Sequence, residues 1–141
     1  DNQSFLDYLN NMQHRKDVIW MESLERLALV QVIGAAIAMV YISLYEGFGL
    51  PVLESMASGV TVITSINSPM EEIVQDAGLV VNPLDIHQIA NAMYQIAIDE
   101  NLRNSLNSKS KKISHLYHWD KTARETGLLI EQMLDKIEIV Q

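Results

Sequence analysis

Short apolar runs alternate along this chain with segments whose apolar residues recur at helical spacing. Asp17 to Met21 (DVIWM) is a short apolar run and predicts a strand. Leu24 to Ala36 follows as a helix, with Leu24, Leu27 and Ala28 at helical spacing among good helix formers. Ala38 to Ile42 (AMVYI) predicts the next strand. Pro51 then suits the first helical position, where a missing N–H goes unnoticed, and Gly59 suits the left-handed stop after Ser58. Val60 to Thr64 (VTVIT) is β-branched and gives the clearest strand of the chain. Ser68, Pro69 and Glu71 form a helix-start signature for a helix ending near Gly78, after which Leu79 to Asn82 (LVVN) predicts a fourth strand closed by Pro83.

Asp85 and Gln88 make another cap pair, and Ile86, Ile89, Ala90, Met93 and Ala97 follow helical spacing and define one buried face. Asn101 to Tyr117 predicts a more polar helix, and Asp120 is placed as the cap of a last amphipathic helix carrying Leu128, Met133 and Ile137. Alternating short strands and helices predict an α/β fold with a doubly wound, mainly parallel sheet. Ligands of such sheets bind beyond the carboxyl ends of the strands. The loops after Met21, Ile42 and Thr64 are therefore the places to look for chemistry.

Composition narrows the function classes. The 141 residues, 48% of them hydrophobic, fit one domain with room for a core that needs no staples. A formal charge of -8 argues against nucleic acid as a partner. The lack of cysteine removes disulfides, thiolate metal sites and a Cys nucleophile, and fits the cytoplasm. The polar first residues hold no hydrophobic core of a secretory signal. Leu27 to Tyr45 has 19 residues without a charge, but Gln31, Gly34, the lack of a basic flank and the Gly47 to Gly49 turn favour a buried helix and strand over a membrane span.

The loop Ser43-Leu44-Tyr45-Glu46-Gly47-Phe48-Gly49-Leu50-Pro51 stands out, with Glu54 three residues further on. Glycines on both sides of Phe48 permit unusual backbone conformations and close approach of a ligand to main-chain N–H groups. The helix starting near Pro51 aims its free N–H groups and partial positive charge at the same spot, where an anion such as a diphosphate is stabilised. Glu46 and Glu54 frame the loop, and ionised carboxylates only accept hydrogen bonds, so their fitting partners are hydroxyls. A ligand with sugar hydroxyls at both ends and a diphosphate between them, a nucleotide sugar, satisfies all three features.

Glu46-Gly47-Phe48-Gly49-Leu50-Pro51 with Glu54, followed by Met56-Ala57-Ser58-Gly59, Val62-Ile63 and Asp76-Ala77-Gly78-Leu79, resembles the carboxyl-terminal domain of group 1 glycosyltransferases. These form family 4 of the sequence classification and have the GT-B architecture, a pair of Rossmann-like halves. The likeness covers residues 17–141. It implies an enzyme, a hexosyltransferase of the mannosyltransferase-like kind found in polysaccharide biosynthesis. Such an enzyme moves a sugar from a UDP- or GDP-sugar to an acceptor hydroxyl with retention, needing neither metal nor further cofactor. Carried over by position, Glu46 is the catalytic carboxylate facing the transferred sugar and Glu54 accepts from the ribose hydroxyls. The main chain of Gly47, Phe48, Gly49 and Leu50 holds the donor sugar and phosphates. No Asp-x-Asp metal motif occurs, in line with metal independence.

The family's opening strand, its Gly-Arg phosphate loop with the basic Arg and Lys pair, and its amino-terminal acceptor domain have no counterpart here. Residues 1–141 are thus expected to be one partial donor-binding domain, truncated at its amino end and inactive alone, whose partners are the donor and the acceptor domain. In the usual 3-2-1-4-5-6 strand order this leaves the Ala38 strand with an open edge. Either the Asp17 strand moves beside it or two chains associate there as a homodimer. The full enzyme is expected in the cytoplasm, with peripheral association at the inner face of the membrane. Two other readings stay open: an epimerase or glycan phosphorylase of similar architecture, and a non-catalytic binding or assembly module. His115 with His118, and the isolated His14 and His87, are read as surface or packing residues, the lysines at 109, 111 and 112 as a solvated face, and Trp119 as a staple of the last helix.

Overall fold

The computed structural model describes residues 2–138, and the side chains of residues 3–135. The chain divides into two compact units between Val30 and Gln31. The first holds α1 (Asn2–Asn11) and a 3-10 turn (Arg15–Asp17). The Asp17 to Met21 strand does not form. Asp17 ends the turn, the guanidinium of Arg15 donates to the carbonyl of Val18 at 2.7 Å, and the next residues find no ladder partner. Trp20 instead meets Phe5 at 5.3 Å between ring centroids. An apolar run becomes a strand only when a neighbouring strand takes up its N–H and C=O groups, and local sequence does not report that neighbour.

α2 (Arg26–Ala35) leads into the second unit, which holds β1 (Ala38–Tyr41), α3 (Leu50–Ala57), β2 (Thr61–Ser65), α4 (Pro69–Val74), β3 (Leu79–Val81), α5 (Ile86–Ile98), α6 (Glu100–Ser114) and α7 (Trp119–Glu138). The three strands are parallel in the order β1-β2-β3, with Ala38 opposite Thr61 and Ile63 opposite Leu79. No strand lies beside the outer edge of β1 among the described residues, so the Asp17 segment does not fill it.

The apolar packing shows why the sheet is doubly wound. On one face Val62 joins Val52 and Met56 of α3, Met70, Ile73 and Val74 of α4, and Ile113 of α6. On the other, Ile63 and Val81 pack with Ala92 and Ile96 of α5 and Leu106 of α6. Consecutive residues of a strand point to opposite faces, so the apolar run in β2 is covered twice and every one of its residues is buried. α6 crosses the amino ends of the strands. Its Asn107 accepts from Thr61 at 2.8 Å and its Ser110 donates to the Ala77 carbonyl at 3.0 Å. The carboxyl ends are left for the loops that follow β1 and β2.

Several element ends are set by caps. Ser68 caps α4, while Glu71 reaches back one residue further than expected, to the N–H of Asn67 at 2.6 Å. Asp85 caps α5 through the Gln88 N–H, and the Gln88 amide oxygen accepts from the Asn82 N–H. α4 stops at Val74, because Gln75 takes a positive φ of 49°, and not near Gly78. Gly78 serves another purpose: a Cβ there would meet the Val62 carbonyl at 2.9 Å.

The buried face of α5 also differs from the expected one. Ala92 and Ile96 are buried and Ile89 half-buried, whereas Ile86, Ala90, Met93 and Ala97 are exposed. The polar residues His87, Gln88, Asn91 and Gln95 of α5 share one stripe and leave an apolar face wider than the sheet covers; contact with Ile63 and Val81 selects the side that carries Ala92 and Ile96. α7 begins at Trp119, which puts Asp120 inside its first turn. Trp119 is 78% exposed and staples nothing. Leu128 lies across the helix from Met133 at 3.6 residues per turn, and the Ile137 side chain is outside the described residues. None of the helices described is long and apolar enough to cross a membrane.

Candidate functional site

Parallel pairing brings the carboxyl ends of β1 and β2 side by side, and side chains there tie the two strands to the loop between β1 and α3. The Ser65 hydroxyl accepts from the Ser43 N–H at 2.9 Å and donates to the Ser43 carbonyl at 2.8 Å. One residue back, the Thr64 hydroxyl donates to the Tyr41 carbonyl at 3.0 Å and lies 3.4 Å from the sulfur of Met70. Both Thr64 and Ser65 are fully buried. The loop therefore leaves a fixed platform.

Glu46 sits in this loop, half-buried, and its Oε1 accepts from the Tyr41 hydroxyl at 3.1 Å. Burial, then the hydrogen bond to Glu46 and its negative charge, push the Tyr41 phenol above the ordinary 10.0. The neutral phenol stays a donor to the carboxylate throughout the neutral range. Of the two loop glycines only Gly49 adopts a left-handed backbone, with φ 97°. A side chain there would also strike Met70. Gly47 has no such constraint, contrary to expectation, and faces open space.

Gly49 is the N-cap of α3, and its carbonyl accepts from the N–H groups of Val52 and Leu53. The main-chain N–H groups of Gly47, Phe48, Gly49 and Leu50 meet no acceptor among the described residues. Pro51 has none to offer. The four N–H groups lie at and just before the start of a helix whose dipole favours an anion. Glu54 lies one turn into α3, exposed, on the same face as Leu50. Phe48 turns away and meets the Tyr117 ring edge-on at 6.2 Å. Phe48, Leu50 and Leu53, with Tyr117, Trp119 and Lys121, line a groove of about 700 Å³.

All six residues expected in the donor site, Glu46, Gly47, Phe48, Gly49, Leu50 and Glu54, lie on this loop and the first turns of α3. Sequence reasoning missed Ser65, whose contact with Ser43 depends on pairing between strands, and Tyr41, whose contact with Glu46 depends on how the loop after β1 turns back. Tyr41 left a faint signal, a hydroxyl-bearing aromatic at the carboxyl end of an apolar strand. His115 and His118 gain no third ligand: among the described residues no group of three or more His, Cys, Asp or Glu could hold a metal ion.

Comparison with known proteins identifies the family and the fold. Residues 1–113 match the family model described as glycosyl transferases group 1. The O-antigen chain mannosyltransferase B of Escherichia coli is 37% identical over 92 residues, which are 65% of this chain and 24% of that protein. Among solved structures, the sucrose-phosphate synthase of Thermosynechococcus elongatus superposes with a TM-score of 0.79 at 28% identity, over 96% of this chain and 34% of the other. WaaG, a glycosyltransferase involved in lipopolysaccharide biosynthesis, shares the fold with a TM-score of 0.71 at 17% identity, over 83% of this chain and 32% of the other. The chain thus spans about a quarter to a third of the length of these proteins. On its sequence match, and on a parallel α/β fold shared with solved glycosyltransferases, the chain belongs to the group 1 glycosyl transferases.

Proposed function

We propose that this chain is the donor-binding half of a retaining hexosyltransferase, acting on a UDP- or GDP-sugar together with an acceptor-binding domain. The observation that carries the proposal is a set of four N–H groups at Gly47 to Leu50 without an acceptor among the described residues, close in the loop to a carboxylate held by Tyr41. Fixed amide dipoles stabilise the negative charge that grows on a departing diphosphate, and being already oriented they need no rearrangement as the bond breaks. Glu46 accepts from hydroxyls of the transferred sugar, and Glu54 accepts from the ribose. Backbone amides supply the positive potential, so the site needs no metal, in a chain of net charge -8. The chain spans about a quarter to a third of the length of its relatives, and by itself it is expected to catalyse no transfer.

The relatives support the transferase class, because their printed names include mannosyltransferases and sucrose-phosphate synthases. Calorimetric titration of the chain with UDP-glucose, UDP-galactose and GDP-mannose tests the donor site. One of them binds, and Glu46→Ala and Glu54→Ala weaken it. Failure of every UDP- and GDP-sugar to bind overturns the proposal. Retention is checked by NMR of the product anomer made by the chain joined to its acceptor domain.

A further inference from the structure

Glu46 is the acid that the proposed donor site places against the sugar, and a carboxylate on a loop is useful only if its direction is fixed. Among the described residues its carboxylate has one hydrogen-bond partner, the Tyr41 hydroxyl at 3.1 Å. Tyr41 is anchored twice. Its side chain packs against the core formed by Val52, Met56 and Val62, and its carbonyl accepts from Thr64 at 3.0 Å. Thr64 also touches Met70, the residue against which Gly49 lies, so both ends of the Glu46 to Gly49 segment refer to the same buried side chains.

We infer that Tyr41 is the positioning residue for Glu46: its hydroxyl occupies Oε1 and leaves Oε2 to accept from a hydroxyl of the donor sugar. This rests on the donor-site proposal. A neutral phenol suits the task because it donates one hydrogen bond and cannot neutralise the carboxylate, as a lysine or arginine would. Strand geometry suits it too. The last residue of β1 is as rigid as the sheet, whereas the loop it steadies begins only two residues later.

Tyr41→Phe removes the hydroxyl and keeps the ring in the core. Calorimetric titration of wild type and variant with a nucleotide sugar, and with the matching nucleoside diphosphate, reads the role. Kd for the nucleotide sugar rises roughly three- to tenfold while Kd for the diphosphate stays within about twofold. Equal weakening of both ligands, or of neither, overturns the inference, because a general disturbance of the loop does not distinguish them. A second measurement needs no ligand. With tyrosine labelled at Cζ, the Tyr41 phenol titrates above free tyrosine in the wild type and shifts down in Glu46→Gln; no shift overturns the Tyr41 grip on Glu46. A wild-type chain that binds no nucleotide sugar overturns the donor site itself, and is told apart from failure of the positioning role, in which wild type and Tyr41→Phe bind alike.

Discussion

Replacing Gly49 with alanine strikes the loop at the position where its backbone leaves the range open to other residues. At φ 97° an alanine pays the left-handed penalty, about 1–2 kcal/mol. Its methyl group would also collide with Met70, which is fully buried and cannot swing aside; overpacking of this kind costs about 1–3 kcal/mol. The two together predict a loss of about 2–5 kcal/mol, a large part of the 5–15 kcal/mol typical of a folded domain. Urea unfolding followed by circular dichroism measures it as a lower midpoint at unchanged slope. Met70→Ala separates the two causes. Alone it costs about 2–5 kcal/mol for the cavity, but it removes the collision, so the double variant is more stable than the sum of the single losses predicts by about 1–3 kcal/mol. A Gly49→Ala chain within about 0.5 kcal/mol of wild type, or strict additivity in the cycle, refutes this account of the N-cap.

Ser65→Ala leaves the Ser43 N–H and carbonyl without their partner and costs about 1–3 kcal/mol in urea unfolding, with weaker nucleotide-sugar binding because the loop loses its anchor. Asp99→Ala removes the carboxylate that accepts from the Leu102 N–H at 2.9 Å, and cap loss lowers stability by about 1 kcal/mol without touching ligand binding. Folded Tyr41 loses its proton at a higher pH than the unfolded chain does, so its contribution is complete below pH 10.0 and is lost as the pH climbs from there through its raised value. Alkaline unfolding of wild type accordingly falls more steeply above pH 10.0 than that of Tyr41→Phe. Glu54→Ala weakens nucleotide-sugar binding roughly tenfold to a hundredfold, and a donor lacking the ribose 2′- and 3′-hydroxyls does not respond to it.

The turn and helix start of the loop were legible in the sequence because they are local. Gly49, at the left-handed position, and Pro51, in the first turn, mark the start of α3 without reference to anything remote in sequence. The same holds for the caps Ser68 and Asp85 and for β2, whose β-branched run and flanking Gly59 at φ 74° need no distant partner to be recognised. Reading the segment as one donor site followed from chemistry that spans only a few residues.

Tertiary structure decided whatever depends on a neighbour remote in sequence. Asp17 to Met21 has strand composition, yet no strand pairs with it and it stays outside the sheet. α5 has an apolar face wider than the sheet covers, and contact with Ile63, Val81 and Leu106 selects Ala92 and Ile96 for burial. The grip of Ser65 on Ser43, and of Thr64 on the Tyr41 carbonyl, exists because parallel pairing sets the ends of β1 and β2 side by side. Sequence determines what a residue can donate, accept or bury within a turn or two of itself. Which of those capacities is used depends on hydrogen bonds and contacts made across some twenty residues of chain, and only the folded sheet supplies them.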